Sequence, residues 1–420
     1  MYLSGSKWNV RRRRPRLKVG RLLVLVGLIA GGVYVERFLV PTVPPLFVPT
    51  STPTRSPATF ALEAESFFQA GKLDQAEESY RNAIEANPQD ADLYVALARV
   101  LVFAERWDEA ETQARNALLI DPDLPAAHAV LGWALDFQGE DRLVEAEAEV
   151  LAALAADPNS ALARAYYAEI LMDQYIELNA GDYRDAVAAA ELAVQLDPGL
   201  VETHRALGYV LERTSNYAQA LEEYQRALTI NPNLAILHRA VGNMYLSLEP
   251  PDLDKAIQGY LNASAFDPTN PIPLQLIAMA YASFGEYGKA SQYASDAVSL
   301  DPDNPSLHGD LGVMYYKNND FEQAVDELNL AVRGGQTAGG VAVQGLPIAP
   351  ENARVVGFYY TLGLALAKLD RCEEASPIFE ALLRGVPGDE IAVTNATEGL
   401  VLCGALQPTP TPAVTPTTIS

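Results

Sequence analysis

Apolar side chains recur at helical spacing, in paired blocks, over most of the chain. The segment Val201–Leu234, VETHRALGYVLERTSNYAQALEEYQRALTINPNL, shows the unit. Leu207, Gly208 and Leu211 form one stripe; after a turn at Ser215-Asn216, Ala220, Tyr224 and Ala227 form another. This pattern predicts two antiparallel helices brought close by their small residues, with Tyr224 and Leu228 filling the space beside them. Asn231-Pro232 stops the second helix, because proline disfavours helix at the residue before it. Such a hairpin cannot bury its apolar face alone, so stacked copies must cover it.

The copies are visible. An Asn-Pro or Asp-Pro pair places its proline at 88, 122, 158, 198, 232, 268 and 302, at spacings of 34, 36, 40, 34, 36 and 34. An alanine recurs in phase at 76, 110, 146, 186, 220, 256, 290, 324 and 375. A second small residue precedes it, twelve positions earlier in the regular units: Ala64, Ala98, Gly132, Ala168, Gly208, Gly242, Ala278, Gly312 and Gly363. Three registers held in step over so long a stretch are a repeat signal.

The units LGYVLERTSNYAQALEEYQRALTINP, IAMAYASFGEYGKASQYASDAVSLDP and LGVMYYKNNDFEQAVDELNLAV resemble the tetratricopeptide repeat family. The resemblance implies an all-α fold, a right-handed superhelical solenoid of about nine helix-turn-helix repeats over residues 58–389, closed by a capping helix over 390–406. Extra residues near Asp141, at Ile176–Asn179 and at Pro250-Pro251 are expected in turns between paired helices. The glycine-rich insert 334–352 follows no phosphate-binding pattern and reads as an excursion loop or short hairpin, with a lid or docking loop as the alternative.

The resemblance also implies a concave groove lined by positions two, five, nine, twelve and thirteen of each unit. Its amino-terminal half would carry Phe68, Phe103, Trp133 and Phe137, its middle Arg205, Tyr209, Arg239 and Asn243, and its far end Tyr316, Lys317, Tyr360 and Lys368. Aromatic anchors beside arginines suit a peptide partner. The family's carboxylate clamp is matched at two slots, by Arg239 and Asn243, but its third slot holds Leu276. In repeat register Cys372 opens the second helix of the last repeat and Cys403 ends the capping helix. Both thiols then fall at one end of neighbouring helices, and a disulfide is expected if the body lies outside the cytoplasm.

His128, His204, His238 and His308 all fall at the fourth position of a first helix, where other units have Tyr94, Leu274 and Tyr359. That is a packing position, and no metal site is expected. No nucleophile elbow or H-E-x-x-H sequence occurs, so neither catalysis nor a cofactor is expected.

Ahead of the repeats, basic residues from Arg11 to Lys18 precede an uncharged run, Leu22–Val35. This predicts residues 1–20 as a basic cytoplasmic terminus and 21–40 as a single transmembrane signal-anchor helix, with Glu36 and Arg37 at the far interface. A cleaved signal or a cytoplasmic basic patch are the alternatives. Residues 41–57 and 407–420 are Pro/Thr-rich, a spacer and a loose tail. The expected organisation is that of a membrane-anchored prokaryotic protein with its repeats outside the cytoplasm.

Composition narrows the function. With 49% apolar residues the chain is not disordered throughout, and two cysteines exclude a disulfide-dense scaffold. The net charge of −24 hides nine Lys/Arg against one acid in residues 1–40, leaving 21 Lys/Arg and 53 Asp/Glu elsewhere. So acidic a body repels phosphate backbones, and no nucleic acid partner is expected. The expected function is a non-enzymatic scaffold or adaptor that binds protein or peptide partners in its groove, held to a membrane by its first helix. An accessory subunit presenting substrate within an envelope enzyme or polymer-export complex is one alternative; a mechanical spacer is another.

Overall fold

The computed structural model describes residues 19–35, 37 and 55–406. The basic terminus before residue 19, the spacer over 41–54 and the 407–420 tail lie outside the described residues. The chain divides into two units, Met1–Arg55 and Ser56–Ser420.

The described part of the first unit is a single helix, α1 (Val19–Tyr34), of 16 residues. At about 1.5 Å per residue it reaches roughly 24 Å, less than the roughly 30 Å of hydrocarbon in a bilayer. Among the described residues, no helix is long and apolar enough to cross a membrane. This overturns the expected anchor over 21–40 and the single-pass placement of the repeats built on it. Val35 and Arg37 are π-helical, and Glu36 and residues 38–40 lie outside the described residues.

The described residues of the second unit form nine helix pairs and a closing helix. The pairs are α2 (Pro57–Gln69) with α3 (Leu73–Ala86), α4 (Ala91–Phe103) with α5 (Trp107–Ile120), and α6 (Pro125–Asp136) with α7 (Leu143–Ala156). Next come α8 (Ala161–Glu177) with α9 (Tyr183–Leu196), α10 (Val201–Arg213) with α11 (Tyr217–Ile230), and α12 (Ala235–Ser247) with α13 (Leu253–Phe266). The last are α14 (Ile272–Ser283) with α15 (Tyr287–Leu300), α16 (Pro305–Lys317) with α17 (Phe321–Arg333), and α18 (Ala353–Lys368) with α19 (Cys372–Gly385). Helix α20 (Glu390–Leu402) packs on both α18 and α19. The extra residues of repeat four are not confined to a turn: α8 has 17 residues against 13 in α10. In the insert, β1 (Gly335–Gln336) pairs antiparallel with β2 (Ala342–Val343), and Tyr359 donates to the Leu346 carbonyl at 2.7 Å, pinning the insert to α18.

Each pair closes on a size match. A Cβ added at Gly208 would lie 2.9 Å from the Tyr224 ring, and one at Gly242 would lie 2.6 Å from Tyr260. Gly132, Gly312 and Gly363 meet Val150, Leu328 and Phe379 in the same way. The large residue always stands four positions after the register alanine. Where the first helix carries alanine instead, at Ala98, Ala168 and Ala278, that position is also alanine: Ala114, Ala190 and Ala294. Only repeat one, with Ala64 and Tyr80, departs from this rule.

The histidine slot does more than pack. In His128, His204 and His308 one ring nitrogen faces a second-helix carboxylate, Glu149, Glu223 or Glu327, at 2.5–2.6 Å. The other faces the carbonyl of Pro122, Pro198 or Pro302 at 3.0 Å. His238 keeps the proline contact at 2.8 Å and stacks on Phe266. Tyr94 and Arg164 likewise donate to Pro88 and Pro158. The slot therefore ties the proline turn to the next hairpin. Burial pushes the His308 imidazole down, but its bonds to Glu327 and to the Pro302 carbonyl outweigh this and raise it overall.

First helices of neighbouring repeats touch each other, α4 with α6, α6 with α8, and α8 with α10, whereas second helices do not pack together comparably. The first helices thus line the inside of the bend. The bend is tight enough for repeats one and two to meet repeats five and six. Arg99 pairs with Glu202, and Arg239 with Glu105. Asn231 and Asn233 donate to the carbonyls of Phe68 and Gln69 at 3.2 and 2.7 Å, satisfying the end of α2.

Cys372 and Cys403 are joined by a disulfide between α19 and the end of α20. Two outcomes follow from these contacts. Gly208→Ala should cost about 1–3 kcal/mol by overpacking and Tyr224→Ala about 3–5 kcal/mol by truncation. The double variant recreates the alanine pairing of repeat two, so urea unfolding should show a cost well below the sum; strict additivity would show that the positions share no space. Replacing both cysteines by serine should destabilise the carboxyl-terminal repeats by about 3 kcal/mol. Limited proteolysis should then cut first in α20, and an unchanged digestion pattern would contradict this.

Candidate functional site

An aromatic column fills the inside of the first repeats. The Phe68 ring lies 5.3 Å from Phe103, Phe103 lies 5.2 Å from Trp133, and Trp133 stacks on Tyr166 at 4.3 Å. Arg99 sits over Phe68 at 4.7 Å while pairing with the fully buried Glu202. Phe68, Phe103 and Trp133 are themselves buried. The expectation that these three rings face an open groove is corrected: the opening repeats close on repeats five and six, and the rings pack that closure.

Beyond Trp133 the packing gives way to a cavity of about 540 Å³ bounded by α6, α8, α10 and α12. Phe137 and Asp136 reach it from the end of α6, and Glu169, Asp173 and Glu177 from α8. Helix α10 supplies Arg205, Tyr209 and Arg213, and α12 supplies Arg239 and Asn243. The structure thus gathers Phe137, Arg205, Tyr209, Arg239 and Asn243 around one space and leaves Phe103 and Trp133 behind its wall. Tyr316, Lys317 and Tyr360 line a separate hollow of about 350 Å³ with Asp310 and Arg354; Lys368 lies outside it.

The acids were missed in the sequence, although the repeat register contains them. Glu169 occupies the slot of Trp133, Asp136 that of Phe68 and Tyr316, and Asp173 that of Phe103 and Phe137. Reading those slots for aromatics and bases alone passed over the carboxylates.

Pairing divides these groups into satisfied and unsatisfied. Trp133 Nε1 donates to Glu169 Oε2 at 3.1 Å, and the Arg205 guanidinium bonds the same oxygen while lying 4.6 Å above the Trp133 ring. Burial pushes the Arg205 guanidinium down, but Glu169 more than compensates and keeps it charged. Tyr209 donates to Asp173. Burial pushes the Asp173 carboxyl up, and the Tyr209 bond only partly restores it. Arg239 is held by Glu105, at 3.0 Å through Nη1, and Asn243 accepts from Tyr260 at 2.8 Å. The two residues that match a carboxylate clamp are therefore already engaged.

Glu169 Oε1 and Arg205 Nε stay unbonded on otherwise paired groups, and the group with no partner is Asp136. It is 6% exposed, and its Oδ1 has no hydrogen-bond partner. Burial first, then the charges of Asp173 and Glu169, push its carboxyl well above the ordinary range, with Arg205 opposing. Among the described residues, no group of three or more His, Cys, Asp or Glu is placed to hold a metal ion. The arrangement is suited to holding a ligand.

Because native Asp136 retains a proton that the unfolded chain has already lost, its contribution to stability is greatest at low pH. It falls as pH rises from the unfolded value, about 3.9, toward the raised folded one. Asp136→Asn removes this ionisation. The variant should be more stable than the parent, with a gain that is larger at pH 8 than at pH 5 by up to about 1.4 kcal/mol per pH unit over which only the native state is protonated. Urea midpoints at the two pH values measure it, and a loss of stability growing with pH would reverse the assignment.

Models of the tetratricopeptide repeat match residues 67–134 and 281–338, and a second model of the same repeat matches 175–235. The anaphase-promoting complex subunit CDC16 of Saccharomyces cerevisiae is 27% identical over 130 residues, 31% of this chain and 14% of that protein. The protein O-mannosyl-transferase Tmtc1 of Drosophila melanogaster is 33% identical over 109 residues, 25% of this chain and 13% of that protein. The chain thus spans only about a seventh of the length of these curated relatives. Among solved structures, a thermophilic TPR protein of Thermus thermophilus aligns with 20% identity over 46% of this chain and all of its own, at a TM-score of 0.37. Yeast Tom70 aligns with 15% identity over 83% of this chain and 89% of its own, at a TM-score of 0.44. With the family models lying on helix pairs that hold one register, residues 67–134, 175–235 and 281–338 are tetratricopeptide repeats.

Proposed function

We propose that the chain is a protein-interaction scaffold that holds a segment of a partner along the inner face of its first helices, at the cavity between α6 and α12. Tetratricopeptide repeats generally bind protein partners and are generally non-catalytic, which supports the reading. The observation that carries it is Asp136, a buried carboxyl that lines a 540 Å³ space and has an unpartnered oxygen. An unsatisfied buried polar group costs about 1–3 kcal/mol. A mechanical spacer has no use for that cost, and the corresponding slot of α8 holds an ordinary apolar residue, Met172. The hollow beside Tyr316 and Arg354 offers the same inner face a second contact toward its far end.

Position-specific photocrosslinking tests this. Benzoylphenylalanine placed at Phe137 or Tyr316, on the inner face, should give adducts with partner proteins at least about fivefold above those from Leu119, which lies exposed on the second helix α5. Equal yields from inner and outer positions would overturn the reading.

A further inference from the structure

The cavity between α6 and α12 has a charge arrangement that its own residues leave incomplete. Five carboxyl groups line it, on Asp136, Glu140, Glu169, Asp173 and Glu177, against three guanidinium groups. Two of the three are committed: Arg205 to Glu169, and Arg239 to Glu105, which is not part of the lining. The third, Arg213, is exposed at the rim. The buried group without a partner is an acid, Asp136; one oxygen of Glu169 is likewise unbonded, and of the paired Arg205 only Nε is. Glu140 and Glu177 are exposed at the mouth, so acidic charge runs from solvent to the buried wall. A low-dielectric hollow lined in this way concentrates cations.

We propose that this cavity receives the cationic end of a lysine or arginine side chain from the bound partner. The volume accommodates one long side chain, and the aromatic edges of Phe137 and Tyr209 can flank its methylene stem. The ammonium or guanidinium donates to Asp136 and to the free oxygen of Glu169, supplying the hydrogen bonds that the fold leaves unmade. An anionic ligand would find Arg205 and Arg239 already paired with Glu169 and Glu105, with only Arg205 Nε unbonded, and would face the surrounding excess of carboxyl groups. A bare metal ion is disfavoured, because among the described residues no three carboxylates are grouped to hold one.

This deepens the scaffold reading and rests on it, but a small probe separates the two. Titration of the full chain with N-acetyl-lysine N-methylamide should shift the indole N–H resonance of Trp133, whose donor contacts Glu169, with a dissociation constant on the order of 1 mM. The arginine analogue should do the same, and the norleucine and glutamate analogues should bind at least about tenfold more weakly. Asp136→Asn should weaken the lysine probe about tenfold; its fold can be checked by the unmoved resonance of Trp107. Equal binding of the norleucine probe, tighter binding of the glutamate probe, or undiminished binding to Asp136→Asn would each overturn the proposal. Any of these with crosslinking at Phe137 intact would sink the cation assignment and spare the scaffold.

Discussion

The two helices of a pair can come no closer than their contact residues allow, and in this chain those residues are nearly the smallest available. A Cβ at Gly363 would lie 2.5 Å from the Phe379 ring, and one at Gly399 only 2.1 Å from it. Glycine opposite a large side chain and alanine opposite alanine are two solutions of one spacing problem, since interiors are packed densely enough that an extra methyl is felt. Equal spacing in successive pairs makes each repeat a similar block. Similar blocks add the same small rotation each time, and the sum is a coil. The coil, in turn, brings repeat two against repeat five and creates the inner cavity.

That closure is held by two kinds of contact with different tasks. The column from Phe68 to Tyr166 removes large rings from water and supplies the attraction. The pairs of half-buried Arg99 with Glu202 and of buried Arg205 with Glu169 contribute little net stability, because desolvating the ions roughly cancels their attraction. Breaking one is another matter: a single buried charge left alone costs about 3–5 kcal/mol. The pairs therefore select which turns of the coil meet, because a shift of one repeat would strand Glu202 and Arg99 away from each other. Helix α10 shows the result. Its polar residues Glu202, Thr203, His204 and Arg205 are all buried, although along the sequence they look like a solvated face.

What the sequence reveals is what is local. Register alanines, proline stops and the size match of Gly208 with Tyr224 all lie within one unit, and each can be recognised from spacing alone. The meeting of Arg99 with Glu202 joins residues 103 positions apart, and no periodicity states how far a coil must turn before it touches itself. The aromatic residues were legible as inner-face residues but not as buried ones, for the same reason. At the amino terminus the error was of another kind. Hydropathy over 21–40 suggests a spanning length, whereas among the described residues no helix is long and apolar enough to cross a membrane. The histidines were placed correctly in the register but read only for bulk; their carbonyl partners sit six residues back, at Pro122, Pro198 and Pro302, within reach of any sequence reader who counts.

An acidic protein attracts cations over its whole surface, so an excess of carboxylates is not in itself a binding site. Exposed carboxylates are screened within about 8 Å at physiological salt and already have water as a partner. What distinguishes the inner cavity is desolvation. Asp136 has lost its water without gaining a donor, and the neighbouring charges of Asp173 and Glu169 make the loss worse. The free energy withheld there is returned only to a ligand that brings a donor and a positive charge into the same small volume. Surface acids such as Glu222 can offer no such difference between bound and free states, and so no selectivity.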